Sequence, residues 1–413
     1  MQEAAVGAVF AVTLAGVHLR PFGMRDWQAA GAGALAAWVV GPLWFGDGLD
    51  VLRDSWNILA FFLGLMLIAA GADACGLYSR VAALLGRHGG RGQVVVLVLA
   101  GTAITAVLSN DATPLVLTPA IYVVARGNVL AAMPAAFAAT FVADGASLLL
   151  PASNPVNLFY YEHFDLELSG YLREITPAGL AGVTALAIVL AWRGVRLPGY
   201  TAETQRAEVN AAAQRGAIFI VVALGAGYIA AAAVSAPLGV VTLAGGVAFL
   251  ALSSASGQIT PRYWRHVSPG VLIFVAGLLL LVESVAAAGL LDPAREVYVR
   301  LAEQPAWVTL AGTVLAAAVL SNLVNNWPAA LVLATIIAGQ DPAAQRELIT
   351  GTLIGCTIGA NFTIMGSLST VFWLNLARGQ GAIISPMAYA RAAFAPTAVA
   401  LVAAWGMAVL TIG

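Results

Sequence analysis

The sequence lacks what most soluble enzymes and nucleic-acid-binding proteins use. Charged residues make up 9% of its 413 residues, lysine is absent, and there are only two cysteines and four histidines. Soluble domains carry about 25% charged residues, because a folded chain must cover its surface with polar groups. The low charge excludes a soluble enzyme and a disordered chain, and the net charge of −1 gives no reason to expect a polyanion as partner. Two cysteines are too few for a disulfide framework or an all-cysteine metal site.

Motifs for catalysis are missing as well. The sequence contains no Walker A motif, so it is not expected to hydrolyse ATP through a P-loop. It also contains no Ser/His or acid/acid pair at a spacing that suits catalysis inside a membrane. We therefore expect neither enzymatic activity nor a cofactor.

Apolar residues fill the sequence instead, at 61% of the chain. A membrane-spanning helix needs about 20 mostly apolar residues. The sequence predicts ten such spans, at 4–19, 28–45, 56–77, 93–126, 174–192, 216–234, 238–253, 269–290, 307–338 and 387–411. The spans 93–126 and 307–338 are too long for one straight crossing, and each has a polar break near its middle. The apolar stretches 130–160 and 343–378 have polar tips and are predicted to be re-entrant hairpins, which survive in a membrane only when buried in protein or facing water.

The positions of the arginines predict the orientation, because cytoplasmic loops are enriched in basic residues. With the N-terminus outside, most of the 19 arginines fall in cytoplasmic loops. The five in external loops are Arg53, Arg126, Arg173, Arg295 and Arg300. The first apolar segment has no basic residues before it, so it is predicted to be a span rather than a signal peptide. We expect a multi-pass protein of the cell (inner) membrane with both termini outside.

The two halves of the chain resemble each other at an offset of 211–214 residues. Leu99-Ala100-Gly101-Thr102 recurs as Leu310-Ala311-Gly312-Thr313, and Ser109-Asn110 recurs as Ser321-Asn322. The equivalent spans run in opposite directions in the predicted topology, so the repeats are inverted. Inverted repeats with paired broken helices are typical of secondary transporters, whose site lies near the middle of the membrane. A duplication that only builds a stable bundle is the alternative, and the recurrence of the polar breaks favours the transporter.

These features predict an all-α polytopic membrane protein with about ten transmembrane helices in two inverted repeats, each with a broken helix and a re-entrant hairpin. The predicted division is 1–50 for the N-terminal spans, 51–193 for repeat 1 with broken helix 93–126 and hairpin 130–160, 194–215 for a cytoplasmic linker, 216–267 for connecting spans, and 268–413 for repeat 2 with broken helix 307–338 and hairpin 343–378.

The first break places an acid, Asp111, at membrane depth near Pro114, which interrupts helical hydrogen bonding. The first half-helix is expected to end near Leu108, and Thr113 is the expected N-cap of a half-helix that starts at Pro114. An intramembrane acid costs at least about 2.5–3.5 kcal/mol, so a functional role is favoured over a structural, hydrogen-bonded acid. We predict that Asp111 carries the coupled proton, with Asp144 and Glu283 as secondary candidates.

The remaining predicted site residues are amides and hydroxyls. Ser153 or Asn154 is expected to cap a helix that starts at Pro155, and Ser367 is expected to cap the helix that follows Gly366. Four half-helix N-termini are then expected to converge, each with N–H donors and a partial positive charge. Asparagines that only pack helices together are the alternative. The predicted substrate-binding residues are Asn110, Thr113, Ser153, Asn154, Asn157, Asn322, Asn325, Asn326, Ser367, Ser369 and Thr370.

Several motifs carry a resemblance to a known family. They are Ser109-Asn110-Asp111 followed by Leu117-Thr118-Pro119, Ser153-Asn154-x-Val156-Asn157, Asn325-Asn326-x-Pro328, and Gly366-Ser367-Leu368-Ser369-Thr370 with Trp373. From about residue 50 to the end, the chain resembles the ArsB arsenite permeases of the ion-transporter superfamily. The resemblance implies export of arsenite and antimonite from the cytoplasm in exchange for protons, with optional coupling to a separate arsenite-stimulated ATPase subunit. As(III) would then be held by the substrate-binding residues without cysteine ligands.

Other functions of the same superfamily stay open at this point. They are a sodium- or proton-coupled carrier of carboxylates or inorganic anions, and a sodium–proton antiporter. Dicarboxylate carriers have a Ser-Asn-Thr tip in both hairpins, whereas the tips here read Ser153-Asn154-Pro155 and Ser367-Leu368-Ser369. An ion channel is a further alternative, although the inverted hairpins favour alternating access over a continuous pore.

Overall fold

The computed structural model describes residues 2–19, 21–43, 45–86, 91–195, 210–234, 236–261, 263–265 and 267–412. All regular structure in these ranges is helical. The α-helices in chain order are α1 (Gln2–Leu19), α2 (Asp26–Val40), α3 (Phe45–Asp54), α4 (Trp56–Ala74), α5 (Leu77–Gly86), α6 (Arg91–Leu108), α7 (Ala112–Val124), α8 (Val129–Gly145), α9 (Pro155–His163), α10 (Leu168–Glu174), α11 (Thr176–Trp192), α12 (Ala211–Ala233), α13 (Leu238–Ala255), α14 (Pro269–Ala287), α15 (Asp292–Ala302), α16 (Ala306–Val324), α17 (Asn326–Ala338), α18 (Pro342–Thr357), α19 (Leu368–Gly379) and α20 (Pro386–Ile412).

Within the described ranges, seven helical segments are long and apolar enough to cross a membrane. They are α4, α12, α13, α14, α16, α20 and the continuous stretch Leu168–Trp192 formed by α10 and α11. The shorter apolar helices α1, α6, α7, α8 and α17 complete the bundle. Together with the paired breaks described below, they confirm the predicted fold class. Residues 196–209 of the predicted linker lie outside the described residues, as do Arg20, Arg87, Arg196, Arg206 and Arg262.

Two neighbouring helices, α4 and α13, define the two faces of the bundle. They run in the same direction at very short distance, because a Cβ atom on Gly64 would lie 2.5 Å from the backbone carbonyl carbon of Thr242 and one on Gly71 would lie 2.5 Å from Cβ of Phe249. Small residues allow such close backbone approach in membranes. We call the face where α4 begins side 1 and the face where it ends side 2. Helix α14 starts on side 2, after α13 ends there, and runs back to side 1.

The first polar break is the tip of a hairpin. The hydroxyls of Thr105 in α6 and Thr113 in α7 lie 2.7 Å apart, and a Cβ on Gly101 would lie 3.2 Å from Cδ1 of Leu117. If α6 and α7 formed one continuous rod, residues 101 and 117 would be about 24 Å apart. Helix α7 also packs along α5, which follows α4 on side 2. The segment predicted as broken helix 93–126 therefore enters from side 2 and returns there, and we call α6–α7 hairpin 1.

The segment predicted as hairpin 130–160 is the broken helix that crosses the bundle. Helix α8 starts on side 2, directly after α7 ends there. Helix α9 ends on side 1, because the side chain of Asn57, at the start of α4, donates a hydrogen bond to the carboxylate of Glu162 near the end of α9. We call α8–α9 crossing helix 1.

The second repeat shows the same exchange of roles. Helices α16 and α18 run in the same direction, since Gly351 lies against Thr313 and Gly359 lies against Ala318. Helix α17 must therefore return to the side where α16 began, before α18 can start there. The segment predicted as broken helix 307–338 is hairpin 2 (α16–α17), and the one predicted as hairpin 343–378 contains crossing helix 2 (α18–α19). A polar break in an apolar run has the same sequence pattern whether the chain turns back or continues, which is why the division was predicted the wrong way round.

Because hairpin and crossing helix have changed places in each repeat, two arginines lie on the face opposite to the predicted one. Arg126 follows α7 on side 2, whereas Arg346 lies on side 1, where its guanidinium contacts the Glu174 carboxylate at 2.5 Å. The last helix also ends on side 1, since the Thr411 hydroxyl donates to the carbonyl oxygen of Glu174 at 3.1 Å. Helix α1 begins on side 1 as well, because it runs antiparallel to α2, which runs parallel to α14. Both described ends of the chain therefore lie on the same face.

Candidate functional site

The two hairpin tips and the breaks in the two crossing helices meet around one small cavity of about 20 Å³. Helices α7, α9, α17 and α19 all begin at its wall, as expected from the sequence. The polar part of the lining consists of Asn110, Asp111, Asn154 and Asn326. Helix N-termini present unpaired N–H groups and a partial positive charge, so their convergence creates a site for oxygen-rich solutes.

Asp111 lies at the tip of hairpin 1 and faces this cavity. It occupies the N-cap position of α7, which starts at Ala112, so the prediction of Thr113 as N-cap is wrong. Thr113 is fully buried, and its hydroxyl contacts Thr105 across the hairpin. The Asp111 carboxylate does not cap its helix and makes no hydrogen bond or ion pair with the residues that the structure describes. It is therefore the acceptor in the cavity with the greatest unused capacity.

The backbone of hairpin 1 is held to crossing helix 1 at this point. Ser109 adopts a φ of 81°, which is uncommon for a residue other than glycine and lets the chain turn sharply after α6. The next N–H group, that of Asn110, donates to the carbonyl oxygen of Ser153 at 2.9 Å. The end of α6 at Leu108 agrees with the sequence prediction. Asp111 is thus fixed by the backbone on both sides.

The tip of hairpin 2 is built in a similar way. Asn325 has a φ of 79°, and its side-chain oxygen accepts a hydrogen bond from the N–H of Trp327 at 3.3 Å, which caps α17. Its Nδ2 donates to the carbonyl oxygen of Met365 at 2.9 Å, in the break of crossing helix 2. Asn325 therefore acts on the backbone, whereas the neighbouring Asn326 lines the cavity and makes no side-chain hydrogen bond with the described residues.

The break of crossing helix 1 confirms the predicted cap. The side-chain oxygen of Asn154 accepts from the N–H of Val156 at 2.9 Å, and α9 starts with Pro155. Asn154 also reaches the cavity. Ser153 and Asn157 are fully buried behind it: the Ser153 hydroxyl accepts from the N–H of Leu150, and Nδ2 of Asn157 donates to the carbonyl oxygen of Ser147.

Four predicted binding residues surround a buried carboxylate, and of these four only Asn110 is also part of the cavity lining. Oδ1 of Asp144 accepts hydrogen bonds from Nδ2 of Asn110 at 2.8 Å, from the Ser367 hydroxyl at 2.9 Å and from the Ser369 hydroxyl at 2.8 Å. The Thr370 hydroxyl lies 3.4 Å from Oδ2. Ser367 occupies the N-cap position of α19, as predicted, but its hydroxyl serves Asp144 and makes no capping bond. We call Asp144, Asn110, Ser367, Ser369 and Thr370 the Asp144 cluster.

Two further predicted residues do not reach the cavity. Nδ2 of Asn322 donates to the carbonyl oxygens of Ala318 and Gly359, both at 2.7 Å, so it joins hairpin 2 to crossing helix 2. Glu283 lies in α14, partly buried, and is not part of the cavity lining. Asn322 therefore stabilises helix packing, and Glu283 lies outside the cavity.

Aromatic residues of the cavity wall were missed in the sequence. Phe62 of α4, Phe274 of α14 and Trp327 of α17 line it. A signal existed, because Phe61-Phe62-Leu63-Gly64-Leu65 aligns with Phe274-Val275-Ala276-Gly277-Leu278 at the offset of the internal repeat. Trp327 contacts Phe62 with ring centroids 5.7 Å apart and Phe159 of α9 at 5.8 Å, both nearly perpendicular. This aromatic group closes the cavity towards side 1.

Two further cavities lie next to it towards side 2. One of about 280 Å³ shares Asp111 and Leu368 with it and is also lined by Leu115 and Phe372. The other shares Phe372 and extends to Arg25 at the start of α2. Asp111 therefore lies between the small cavity and larger cavities in the half of the bundle that faces side 2.

The chain is similar over most of its length to known membrane proteins. A family model described as "Arsenical pump membrane protein" (ArsB) matches residues 5–409. An arsenical pump membrane protein of Escherichia coli is 30% identical over 388 residues, which cover 90% of each chain. One of Yersinia enterocolitica is 29% identical and covers 92% of each chain.

The fold is similar to that of a solved transporter. The crystal structure of the YdaH transporter of Alcanivorax borkumensis, described as having an unusual topology, superimposes with a TM-score of 0.56 at 14% identity and covers 94% of this chain and 96% of that one. At this identity the likeness supports the fold alone. The family match over nearly the whole sequence and the 30% identical relative go further. They show that this chain belongs to the ArsB family of arsenical pump membrane proteins, as its motifs predicted.

Proposed function

We propose that the chain exports arsenite and antimonite from the cytoplasm in exchange for protons, by alternating access to the cavity at Asp111. The observation that carries this proposal is the position of Asp111. Its carboxylate has no partner among the described residues and faces a cavity where four half-helices begin. A carboxylate in this position can bind a proton or accept a hydrogen bond from a solute, and the two uses compete.

The chemistry of the lining suits a neutral, hydroxyl-rich solute. Arsenite at neutral pH is mostly the uncharged trihydroxide, whose oxygens accept hydrogen bonds and whose hydroxyls donate them. The helix N-termini and the amide of Asn326 supply donors, and ionised Asp111 supplies an acceptor. The negative charge of Asp111 also offsets the positive ends of the helices, which disfavours a polyanionic substrate. Thiol ligands are not needed, and both Cys75 and Cys356 are buried away from the cavity lining.

The asymmetry of the cavity supports alternating access. A larger cavity lined by Leu115 and Phe372 adjoins the site towards side 2, while Trp327 packs on Phe62 and Phe159 towards side 1. A transport cycle needs a second conformation in which the aromatic contacts open and the path to side 2 closes.

The described arginines support side 2 as the cytoplasmic face, because positive charge is concentrated on that side of membrane proteins. Nine described arginines lie on side 2: Arg25, Arg80, Arg91, Arg126, Arg193, Arg215, Arg265, Arg378 and Arg391. Five lie on side 1: Arg53, Arg173, Arg295, Arg300 and Arg346. In this orientation both described ends of the chain lie outside, and the larger cavities next to Asp111 lie towards the cytoplasm.

The proposed exchange then follows from the competition at Asp111. Asp111 gives up its proton to the cytoplasm, and arsenite enters from the same side and donates a hydroxyl hydrogen bond to the carboxylate. After the change of access, arsenite leaves to the outside and Asp111 takes up a proton there. One neutral solute moves out for each proton that moves in, so both the pH gradient and the membrane potential drive export.

The test is arsenite uptake into everted membrane vesicles under an imposed pH gradient without ATP. A hydrogen bond to a charged group contributes about 1.5–3 kcal/mol, so Asp111→Asn is expected to reduce proton-driven uptake by about 10- to 100-fold. Asp54→Asn, in exposed α3, is the matched control and is expected to behave as wild type. Full proton-driven uptake by Asp111→Asn would refute the assignment of Asp111.

Substrate and coupling ion need a separate experiment. Expression in a strain that lacks arsenite export is expected to restore growth on arsenite and on antimonite but not under sodium challenge. Uptake into vesicles is expected to be the same when sodium is replaced by choline. Dependence on sodium, or growth rescue only under sodium stress, would identify a sodium-coupled carrier or a sodium–proton antiporter instead.

A further inference from the structure

Asp144 is a buried carboxylate held only by uncharged donors. It lies near the end of α8 and is fully buried. Its hydrogen-bond donors among the described residues are one amide and three hydroxyls, and none of them is an arginine or histidine. Burying a carboxylate without a cation is costly, so a structure keeps it only when the donors are in place. The donors of the Asp144 cluster therefore stabilise the ionised form of Asp144.

The donors come from both repeats. Asn110 belongs to the tip of hairpin 1, while Ser367 and Ser369 belong to the start of α19 in crossing helix 2. Oδ1 of Asp144 thus joins the tip that carries Asp111 to the half-helix whose first residue, Leu368, lines the same cavity. The equivalent residue of repeat 2, at the end of α18, is Thr357, whose hydroxyl donates within its own helix to the carbonyl oxygen of Leu353. Among the described residues, a carboxylate that makes this connection is therefore present in repeat 1 only.

The second carboxylate oxygen of Asp144, Oδ2, has a hydroxyl partner that can either donate a hydrogen bond to it or accept one from it. Among the described residues, the hydrogen-bond partner of Oδ2 is the Thr370 hydroxyl, at the long distance of 3.4 Å, and this hydroxyl also lies 3.2 Å from the hydroxyl of Thr140. When Oδ2 is protonated, its O–H can donate to Thr370, and Thr370 can donate to Thr140. The bonds to Oδ1 then lose the assistance of the negative charge and weaken.

Two titratable groups of the described residues face Asp144. Asp111 directly follows Asn110, whose Nδ2 donates to Asp144, and Tyr389 of α20 packs on Phe141, one turn before Asp144 in α8. Two carboxyls this near to each other bind protons as a pair. A test of proton binding at Asp144 therefore has to control the charge of Asp111.

We propose that Asp144 is a positioning residue whose charge controls the hydrogen bonds between the two repeats. When Asp144 is ionised, its hydrogen bonds hold the tip of hairpin 1 to α19. When it is protonated, these hydrogen bonds weaken and the two elements can separate. The proposal rests on the proposed function, since it takes Asp111 as the group that exchanges protons. Asp144 itself touches no solute in the cavity. It acts through Asn110 and through Ser367 and Ser369.

The first test needs no substrate. The carbonyl stretch of a protonated carboxyl group is recorded by infrared difference spectroscopy on the full chain in lipid, between about pH 5 and about pH 8. The variant Asp111→Asn is compared with the double variant that also carries Asp144→Asn. We expect a titrating band in the first that is absent from the second, while Glu283 contributes equally to both. Identical bands would overturn the proposal, because Asp144 would then not change its charge.

The second test uses the pH profile of arsenite uptake. Ser369→Ala removes one donor to Oδ1 and leaves the carboxyl in place. A carboxylate with fewer donors binds a proton more readily, so the profile is expected to move by about one unit to higher pH with its shape kept. Ser284→Ala is the matched control, since this buried hydroxyl donates only within its own helix, to the carbonyl oxygen of Leu280. An unmoved profile in Ser369→Ala, or an equal shift in the control, would contradict the proposal.

The two tests separate this proposal from the proposed function. If the wild-type chain transported no arsenite, the proposed function would fail, but the infrared comparison would still decide whether Asp144 takes up a proton. If Asp144→Asn failed to reach the membrane, the profile of Ser369→Ala would decide alone.

Discussion

The close approach of backbone at Gly366 gives a sharp prediction about how α19 is positioned. Gly366 ends the 3-10 turn Ile364–Gly366, directly before Ser367. A Cβ atom at this position would lie 2.0 Å from the carbonyl oxygen of Ala360 and 2.8 Å from Oδ1 of Asn322. A carbon–oxygen contact needs about 3.3 Å, so the turn would have to move by about 1.3 Å.

This displacement acts directly on the site. The residues that follow Gly366 are Ser367, which donates to Asp144, and Leu368, which lines the cavity. Overpacking of a buried position costs about 1–3 kcal/mol, which a bundle of this size can tolerate. Misplacement of a functional group by about 1 Å reduces the rate by about 100-fold where alignment limits it. We therefore expect Gly366→Ala to reach the membrane and to transport arsenite about 100-fold more slowly than wild type.

The assay is initial arsenite uptake into everted vesicles, normalised to the amount of the protein in the membrane. Gly406→Ala is the matched control, because it lies within α20 and a Cβ there would meet no atom within 4 Å. The control is expected to match wild type. If Gly366→Ala kept more than half of the wild-type rate at equal abundance, the turn would be able to absorb the methyl group and the reasoning about α19 would be refuted.

Two further predictions concern stability. Gly64→Ala would place Cβ 2.5 Å from the backbone of Thr242. This variant is expected to lower the free energy of unfolding by about 1–3 kcal/mol and Tm by several degrees. The control Gly170→Ala, whose Cβ would enter open space, should leave Tm unchanged. Arg346→Gln removes the ion pair with Glu174, but the arginine side chain is 52% exposed, so Tm in detergent should fall by no more than about 2–4 °C; a larger fall would show that this pair supports the fold on side 1.

The sequence was sufficient for the positions of the breaks. Proline, glycine and capping residues act locally, so the end of α6 at Leu108 and the start of α9 at Pro155 followed from neighbouring residues. The convergence of four half-helix N-termini also followed, because the breaks recur in both repeats. These are features that a few adjacent side chains determine.

The direction of the chain after each break could not be predicted from neighbouring residues. Whether α7 continues from α6 or returns beside it depends on contacts such as Gly101 with Leu117, sixteen residues apart. Likewise, no local signal shows that the hydroxyls of Ser367 and Ser369 serve Asp144, more than two hundred residues earlier. Their sequence context, a polar tip after glycine, is equally typical of residues that touch a substrate.

The two repeats share a backbone design but differ in charge at equivalent positions. The N-cap of α7 is the acid Asp111, whereas the N-cap of α17 is the amide Asn325. The end of α8 carries Asp144, and the end of α18 carries Thr357. Within the described residues, both carboxyls of the site thus belong to repeat 1.

This distribution has a mechanical consequence. Any change of protonation at the site alters the charge of hairpin 1 and crossing helix 1, while hairpin 2 and crossing helix 2 keep theirs. Repeat 2 can then respond through the contacts that it shares with repeat 1, among them the cavity and the bonds of Ser367 and Ser369 to Asp144. Two identical repeats would bind protons in equivalent ways and give neither access state an advantage. Under the proposed exchange, the asymmetric charge lets protonation change the relative free energies of the two access states.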